Sequence, residues 1–393
     1  MSAMELRAFR RGVAVAAAVG LVAAGHAQAG TNRISDGNDR PGPLDIRSAS
    51  HGHAGVRVVH TISTFALWRA GLLGPGTPNL FAVEISTDGD AALERVVLIF
   101  SANGRMVARV YRLSGGRLVL VGPATASKPN GRTVRVSIAR SQLGSPAGYR
   151  WKAHSQYRAA GACSNFCIDK APNSRRVLHD ITAPAIALAS SSFPAIAPDI
   201  EYDVSFGVSD AGGAGLRRWD LQHRAVGTST WATVDSGTTV GAQSFHQVSE
   251  ENDYDEFRVV AVDRHGNTRI SPARRVSVPV DNAPSTALVY TGTWTHGAGD
   301  PSDFRGTLSS SLTSGDTVVF TFTGQYVAWV APGGGDGDAL VSTDEPGTES
   351  VLLGDFSGRR QIVFEHTFAS AGSHTIEIEV AGGTVPIDGF IVR

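Results

Sequence analysis

The residues best suited to chemistry fall into three groups. Carboxylates come first. Asp36, Asp39 and Asp45 crowd one short stretch, and Asp180 lies at the far end of the same predicted unit. Their hard oxygen donors suit a structural calcium ion that ties the two ends of the unit together. The same residues also serve as ordinary solvated turn formers, and both readings stand. A second acidic group, Asp88-Gly-Asp90 with Glu94, carries the same two readings more weakly. Histidines come next. His51 and His53 would share a strand face, which invites zinc, but no third ligand is specified and His60 sits a strand away. The expectation is ordinary surface or loop histidines. Aromatics are the third group: Trp294, His296, Phe304, Arg305, Tyr326 and Trp329 combine rings with polar partners. A flat ring stacks on the apolar C–H face of a pyranose while neighbouring polar groups bond its hydroxyls. Tryptophans in sandwiches usually pack the core, and period-two alternation puts Tyr326 and Trp329 on opposite faces, so at least one is core. Trp294 and Phe304 lie in or beside a Gly/Asp/Pro-rich loop and are the better candidates. Trp219 and Trp231 are expected to be packing residues.

No Gly-x-Ser-x-Gly elbow, His-Glu-x-x-His or phosphate-cradling Gly-x-x-x-x-Gly-Lys loop occurs. A glycosidase needs only two carboxylates brought together in space, so this absence alone does not remove hydrolases. The formal net charge is −1, with arginine interspersed among acidic residues and lysine only at 128, 152 and 170. There is no basic stripe, so nucleic acid is not an expected partner.

The first 29 residues have the form of a cleaved secretory signal peptide. Arg7, Arg10 and Arg11 precede an apolar run from Gly12 to Gly25, and His26-Ala27-Gln28-Ala29 ends in a small-residue cleavage pattern. The run is shorter than the span a membrane helix needs, and no later segment is long enough. An extracellular, soluble mature chain is therefore expected. In that oxidising setting Cys163 and Cys167 are expected to form a local disulfide. A metal site would lack partner ligands, and a redox pair usually has two intervening residues.

These residues must be held by strands. Beyond the leader, period-two runs between Gly, Pro, Asp and Asn clusters dominate, so the fold class is all-β: three β-sandwich domains in tandem. The first spans 30–180. In it Val134, Val136 and Ile138 share a face, Tyr149, Trp151 and Ala153 share another, and Ala-Asn-Gly joins a hairpin from Arg95 to Arg112. The second spans 181–281. The third spans 284–393, with about eight or nine strands and an expected pairing of Asp316–Thr323 with Gln325–Ala331 across Gly324.

Three resemblances accompany this pattern. Tyr254-Asp-Glu-Phe-Arg-Val-Val-Ala-Val-Asp-Arg-His-Gly-Asn267 resembles the penultimate strand and turn of fibronectin type III and immunoglobulin-like sandwiches. That likeness implies a tyrosine-corner role for Tyr254. Tyr290-Thr-Gly-Thr-Trp294, Phe320-Thr-Phe-Thr-Gly-Gln-Tyr-Val-Ala-Trp329, Gly372-Ser-His-Thr-Ile and Ile387-Asp-Gly-Phe-Ile-Val resemble galactose-binding-like jelly rolls, accessory modules of secreted carbohydrate-active proteins. The chain departs from that pattern at Ser342-Thr-Asp-Glu-Pro, which puts one loop in doubt. Leu44-Asp-Ile46 and Val136-Ser-Ile…Leu143-Gly in the first domain resemble family 9 carbohydrate-binding modules and DOMON-type sandwiches. DOMON relatives can carry haem, but Met106 is the only methionine after the leader and no ligand pair is evident.

The combined expectation is a secreted, non-catalytic protein that binds extracellular carbohydrate or cell-envelope glycan, with no cofactor apart from the calcium. Two alternatives stay open: an adhesion or structural protein binding other proteins, and a hydrolase with its site in the first domain. The oligomeric state is not specified.

Overall fold

The computed structural model describes residues 33–393, except 75–76, 89–91, 160–162, 164, 190–192 and 226–227. The expected signal peptide and Asp90 lie outside the described residues. About 60% of the described residues are strand and 4% helical, which makes the fold all-β.

Alternation becomes strand where the pattern is strongest. Thr133–Ala139 buries Val134, Val136 and Ile138, and Gly148–Tyr157 buries Tyr149, Trp151 and Ala153. Arg95–Ala102 and Arg105–Ser114 form the expected hairpin. Its turn residues Asn103 and Gly104 have φ of 52° and 72°, the left-handed pair that matches strand twist.

Three cores follow one another along the chain. The first is wrapped by an 11-stranded sheet running from Arg33–Ser35 to Val177–Asp180. Arg117–Asn130 passes from one half of that sheet to the other, pairing first with Arg105–Ser114 and then with Thr133–Ala139. Ile46, Ile62 and Val134 from one half meet Phe81, Ile99 and Trp151 from the other. The disulfide Cys163–Cys167 is present, with a Cα separation of 5.4 Å. It anchors the start of Cys167–Ala171.

The second core lies between a three-stranded and a five-stranded sheet. Tyr202, Val204 and Phe206 pack against Trp219, Leu221, Phe257 and Val259. Trp219 is therefore core, but Trp231 is only half-buried, with the guanidiniums of Arg224 and Arg258 at 4.7 and 4.3 Å from its ring. Tyr254 does not act as a corner. Its ring lies beneath Arg275 at 4.4 Å, and the buried phenol bond belongs to Tyr202, which donates to Asp255 Oδ2 at 2.6 Å.

The third core sits between a seven-stranded and a three-stranded sheet, around Phe320, Trp329, Phe364, Ile376 and Phe390. Gly324 is no turn. Thr317–Ala331 continues through it as one strand, with a register shift between Gly324 and Tyr326, and Gly324 pairs with Gly372 of Gln361–Gly382. A Cβ there would stand 2.7 Å from the Arg393 carbonyl oxygen. Glycine is needed for that close approach, which sequence alone cannot distinguish from a turn. No helix of the described residues is long and apolar enough to cross a membrane.

Candidate functional site

Of the six aromatic and polar candidates of the third unit, Trp294 and His296 share one surface patch, Phe304 and Trp329 are buried, and Arg305 and Tyr326 are engaged elsewhere. Leu288–Thr291 and Thr295–Ala298 flank a tight turn at Gly292, Thr293 and Trp294. Gly292 has φ of 105°, and a Cβ on it would fall 1.9 Å from Asp316 Oδ1. Only glycine fits both demands. Asp316 Oδ2 accepts the Thr293 N–H at 2.8 Å and the Ser311 hydroxyl at 2.6 Å, which clamps the turn. Trp294 is thereby held half-buried, its Nε1 donating to the Thr291 carbonyl at 3.2 Å. Tyr290, which the sequence reading did not single out, completes the arrangement. Its ring centroid is 5.0 Å from Trp294 and 4.6 Å from His296. His296 is exposed and its Nδ1 bonds Ser309 Oγ at 2.8 Å. Three adjoining rings with polar edges thus line one surface patch.

Trp329 and Phe304 are corrections, and Arg305 and Tyr326 lie outside the patch. Trp329 is fully buried in the third core, with Nε1 donating to the Pro386 carbonyl. Phe304 is also fully buried, but in the second core, beside Phe193 and Phe257. Arg305 is a tie between units: Nη1 meets Glu251 Oε1 at 2.5 Å and Asp281 Oδ2 at 3.2 Å, and its N–H donates to the Pro198 carbonyl at 2.7 Å. Tyr326 packs with Ile196 and Ile391, and its hydroxyl donates to Glu365 at 2.7 Å. A mouth of about 200 Å³ does open beside the departing loop, walled by Glu345, Glu349 and His366.

The acidic candidates divide too. Asp39 and Asp45 converge with Asp169 so closely that one carboxylate oxygen from each lies within 4.8 Å of the others. Asp36 stands beside them: the Asn173 amide donates to Asp36 Oδ1 at 3.1 Å and to Asp39 Oδ2 at 3.3 Å. Neighbouring strands build this centre. Asp169 lies in Cys167–Ala171, and its Oδ2 accepts the Ile46 N–H at 2.5 Å, next to Asp45. Asp45 is 1% exposed, and neither of its carboxylate oxygens has a hydrogen-bond partner; Asp169 Oδ1 and Asp36 Oδ2 lack one as well. Burial, reinforced by the charge of Asp169, raises the Asp36 carboxyl to about 6 and Asp45 to about 7. Unpaired buried carboxylates are costly, and a hard divalent cation is what this oxygen set accommodates.

Asp180 is not part of that centre. It joins Asp210 and Asp263 at the junction of the first and second units, where Oδ1 accepts Thr182 N–H and Oδ2 accepts Ala214 N–H. Of the second acidic group, Glu94 accepts the Thr87 N–H.

The histidines are not surface residues either. His51, His60 and His179 are 2%, 0% and 1% exposed. His51 stacks on His179 at 4.0 Å and accepts from Trp151 Nε1 at 2.7 Å. Tyr149 hydroxyl bridges His60 and His179, each at 2.8 Å. His53 reaches His179 at 3.1 Å, and His265 of the second unit lies 5.7 Å from His51. Burial lowers the affinity of His51, His53, His60 and His179 for protons, with His51 brought down to about 3.

The fold and these centres define a tandem β-sandwich protein with an acidic centre, a histidine junction and an aromatic patch. No family model matches the chain. One curated protein, the A type blood alpha-D-galactosamine galactosaminidase of Flavonifractor plautii, is 32% identical over 105 residues, 26% of this chain. The chain spans about a tenth of the length of that relative, which the match covers to 10%. Among solved structures, a marsupial T cell receptor aligns with TM-score 0.36 at 10% identity, covering 86% of this chain and 95% of that one. Fibronectin(III)-like modules of Clostridium thermocellum CbhA align with TM-score 0.24 at 13% identity, covering 57% and 85%. A Ca2+-stabilized adhesin of an Antarctic bacterium that binds ice gives TM-score 0.24 at 14% identity, covering 86% and 69%.

Proposed function

We propose that this chain is an exported, non-catalytic binding protein that recognises extracellular carbohydrate through its third unit. The observation that carries the reading is the patch of Tyr290, Trp294 and His296, held part-exposed by the Gly292–Asp316 clamp. Clamped rings lose little freedom on binding, and their faces suit the C–H surface of a sugar. The local likeness to a galactosaminidase is about the size of one such unit, which suits a shared accessory module. The second unit acts as a spacer. The first unit is stabilised by calcium at Asp36, Asp39, Asp45 and Asp169, among which both Asp45 oxygens, Asp36 Oδ2 and Asp169 Oδ1 otherwise lack partners.

A glycan array with the full chain tests this reading. Neutral galactosides or galactosaminides are expected to bind in the micromolar to millimolar range, and Trp294→Ala should weaken them at least about tenfold. The unfolding temperature should not move. Absence of any sugar binding at millimolar concentration defeats the proposal. Release of galactosamine from such a ligand would instead favour a hydrolase.

A further inference from the structure

A cleft of about 530 Å³ opens between the second and third units. Among the described residues it is lined by four arginines, Arg275, Arg359, Arg360 and Arg393, and by no aspartate or glutamate. In a chain whose net charge is −1, this concentration of guanidinium groups is a local property of the junction.

The four are not equivalent. Arg275 is paired with Glu256 at 3.0 Å, and Arg359 with Asp303 at 3.3 Å and Asp300 at 3.5 Å. Arg360 and Arg393 have no carboxylate ion pair among the described residues. Arg393 instead donates to Ser277 Oγ at 3.0 Å and lies over the Tyr326 ring at 5.0 Å. Arg360 donates to the Ser302 carbonyl and holds a left-handed backbone, φ 48°. A non-glycine residue in that region is strained, and such strain persists where the surroundings impose it. Asp303 and Asp388 act on Arg360 through space, but neither lines the cleft. The floor is apolar, supplied by Ile196, Ile362 and Ile391.

A cationic wall over an aliphatic floor selects a ligand with two characters. A guanidinium fork matches a carboxylate or sulfate group two-pronged. Isoleucine side chains accept the C–H face of a ring, and the Gln361 amide, also in the lining, suits a hydroxyl. We propose that the cleft between the second and third units binds an acidic saccharide, a sugar carrying a carboxylate or a sulfate ester. The proposal deepens the carbohydrate reading above and rests on it, while placing the charged sugar at a separate site from the aromatic patch.

Calorimetric titration of the full chain tests it, with galacturonate and galactose 6-sulfate oligosaccharides, neutral galactose oligosaccharides, inorganic sulfate and a glutamate-rich peptide as probes. An acidic saccharide should bind, more weakly at high salt, and the double variant Arg360→Gln/Arg393→Gln should lose it by at least about tenfold. Neutral sugar binding at the aromatic patch should be unchanged in that variant, which also shows that it remains folded. Arg393→Lys keeps the charge without the fork and should recover part of the affinity. Whichever acidic probe binds identifies the anionic group. If acidic saccharides do not bind while neutral ones do and depend on Trp294, the cleft proposal fails and the carbohydrate reading stands. Equal binding by the double variant, or binding of sulfate or peptide as tight as the saccharide, overturns the cleft proposal. If no sugar binds at all, both fail.

Discussion

Asp45 is the residue on which the first unit turns. It sits at 1% exposure with both carboxylate oxygens unpartnered, beside Asp39 and Asp169. Without a cation, ionising this group sets like charges against each other in a dry site. Calcium should therefore raise the unfolding temperature of the chain; at a hundredfold excess over its Kd the stabilisation is about 2.7 kcal/mol. Asp45→Asn removes one of the opposed charges. In chelator it is expected to unfold at a higher temperature than the parent, and calcium should no longer raise it. Differential scanning calorimetry with and without calcium makes the comparison, and a parent chain indifferent to calcium would defeat it. Part of this centre was legible in the sequence. Asp36, Asp39 and Asp45 are neighbours along the chain, so composition announces them. Asp169 is not announced, because strand pairing and the Ile46 N–H bond bring it there from far away. Asp180 has the right residue type and a plausible position, but Thr182 and Ala214 turn its carboxylate toward the second unit. Aspartate density shows that a site is chemically feasible; register decides its membership.

At the scale of elements, alternation predicted strands well and their ends poorly. Val134, Val136 and Ile138 read as one face and form one. Thr317–Ala331 runs on past Gly324, where the pattern signalled a turn, and Gln361–Gly382 is likewise one long strand. The reason is that pairing with other strands on both sides of a local irregularity carries each long strand onward, which a local pattern does not reveal. The short Phe304–Gly306 turn shows the same limit. Its loop composition made Phe304 a candidate for ligand contact, yet the ring is buried in the second core while its N–H donates to Asp388 Oδ1 at 2.8 Å. It is a plug between units. Phe304→Ala is expected to destabilise the second unit by about 3–5 kcal/mol, although the residue lies in the sequence of the third. Denaturant unfolding followed through Trp219, which packs in the same core, reads that loss. A loss confined to the third unit would contradict the plug, whereas Phe304→Leu should keep most of the stability.

For the whole molecule, the two titratable centres of the first unit respond to acid in opposite senses. His51, His53, His60 and His179 all bind protons less readily folded than unfolded, chiefly because they are buried. Their contribution to stability is complete above the unfolded value near 6.5 and is lost as pH falls below it. Each histidine that the unfolded chain protonates and the folded chain does not adds a slope of about 1.4 kcal/mol per pH unit. Asp36 and Asp45 are raised to about 6 and about 7 in the folded chain, so their contribution is complete below the ordinary value near 3.8 and is lost as pH rises through the folded values. Between pH 7 and pH 4 the carboxyls therefore offset part of the histidine loss. Bound calcium would abolish the offset, because it would hold those carboxylates ionised. The calcium-loaded chain should lose unfolding temperature steeply on acidification from pH 7.5 to pH 5, as the buried histidines resist the protons the unfolded chain accepts. The chelated chain should lose less over the same interval. Since His265 of the second unit closes on His51, the first change on acidification is expected at the junction, where Trp151 bonds His51 and reports by fluorescence. Equal slopes with and without calcium would separate the acidic centre from metal binding, and a flat profile in both would remove the histidine junction as a pH-sensitive element.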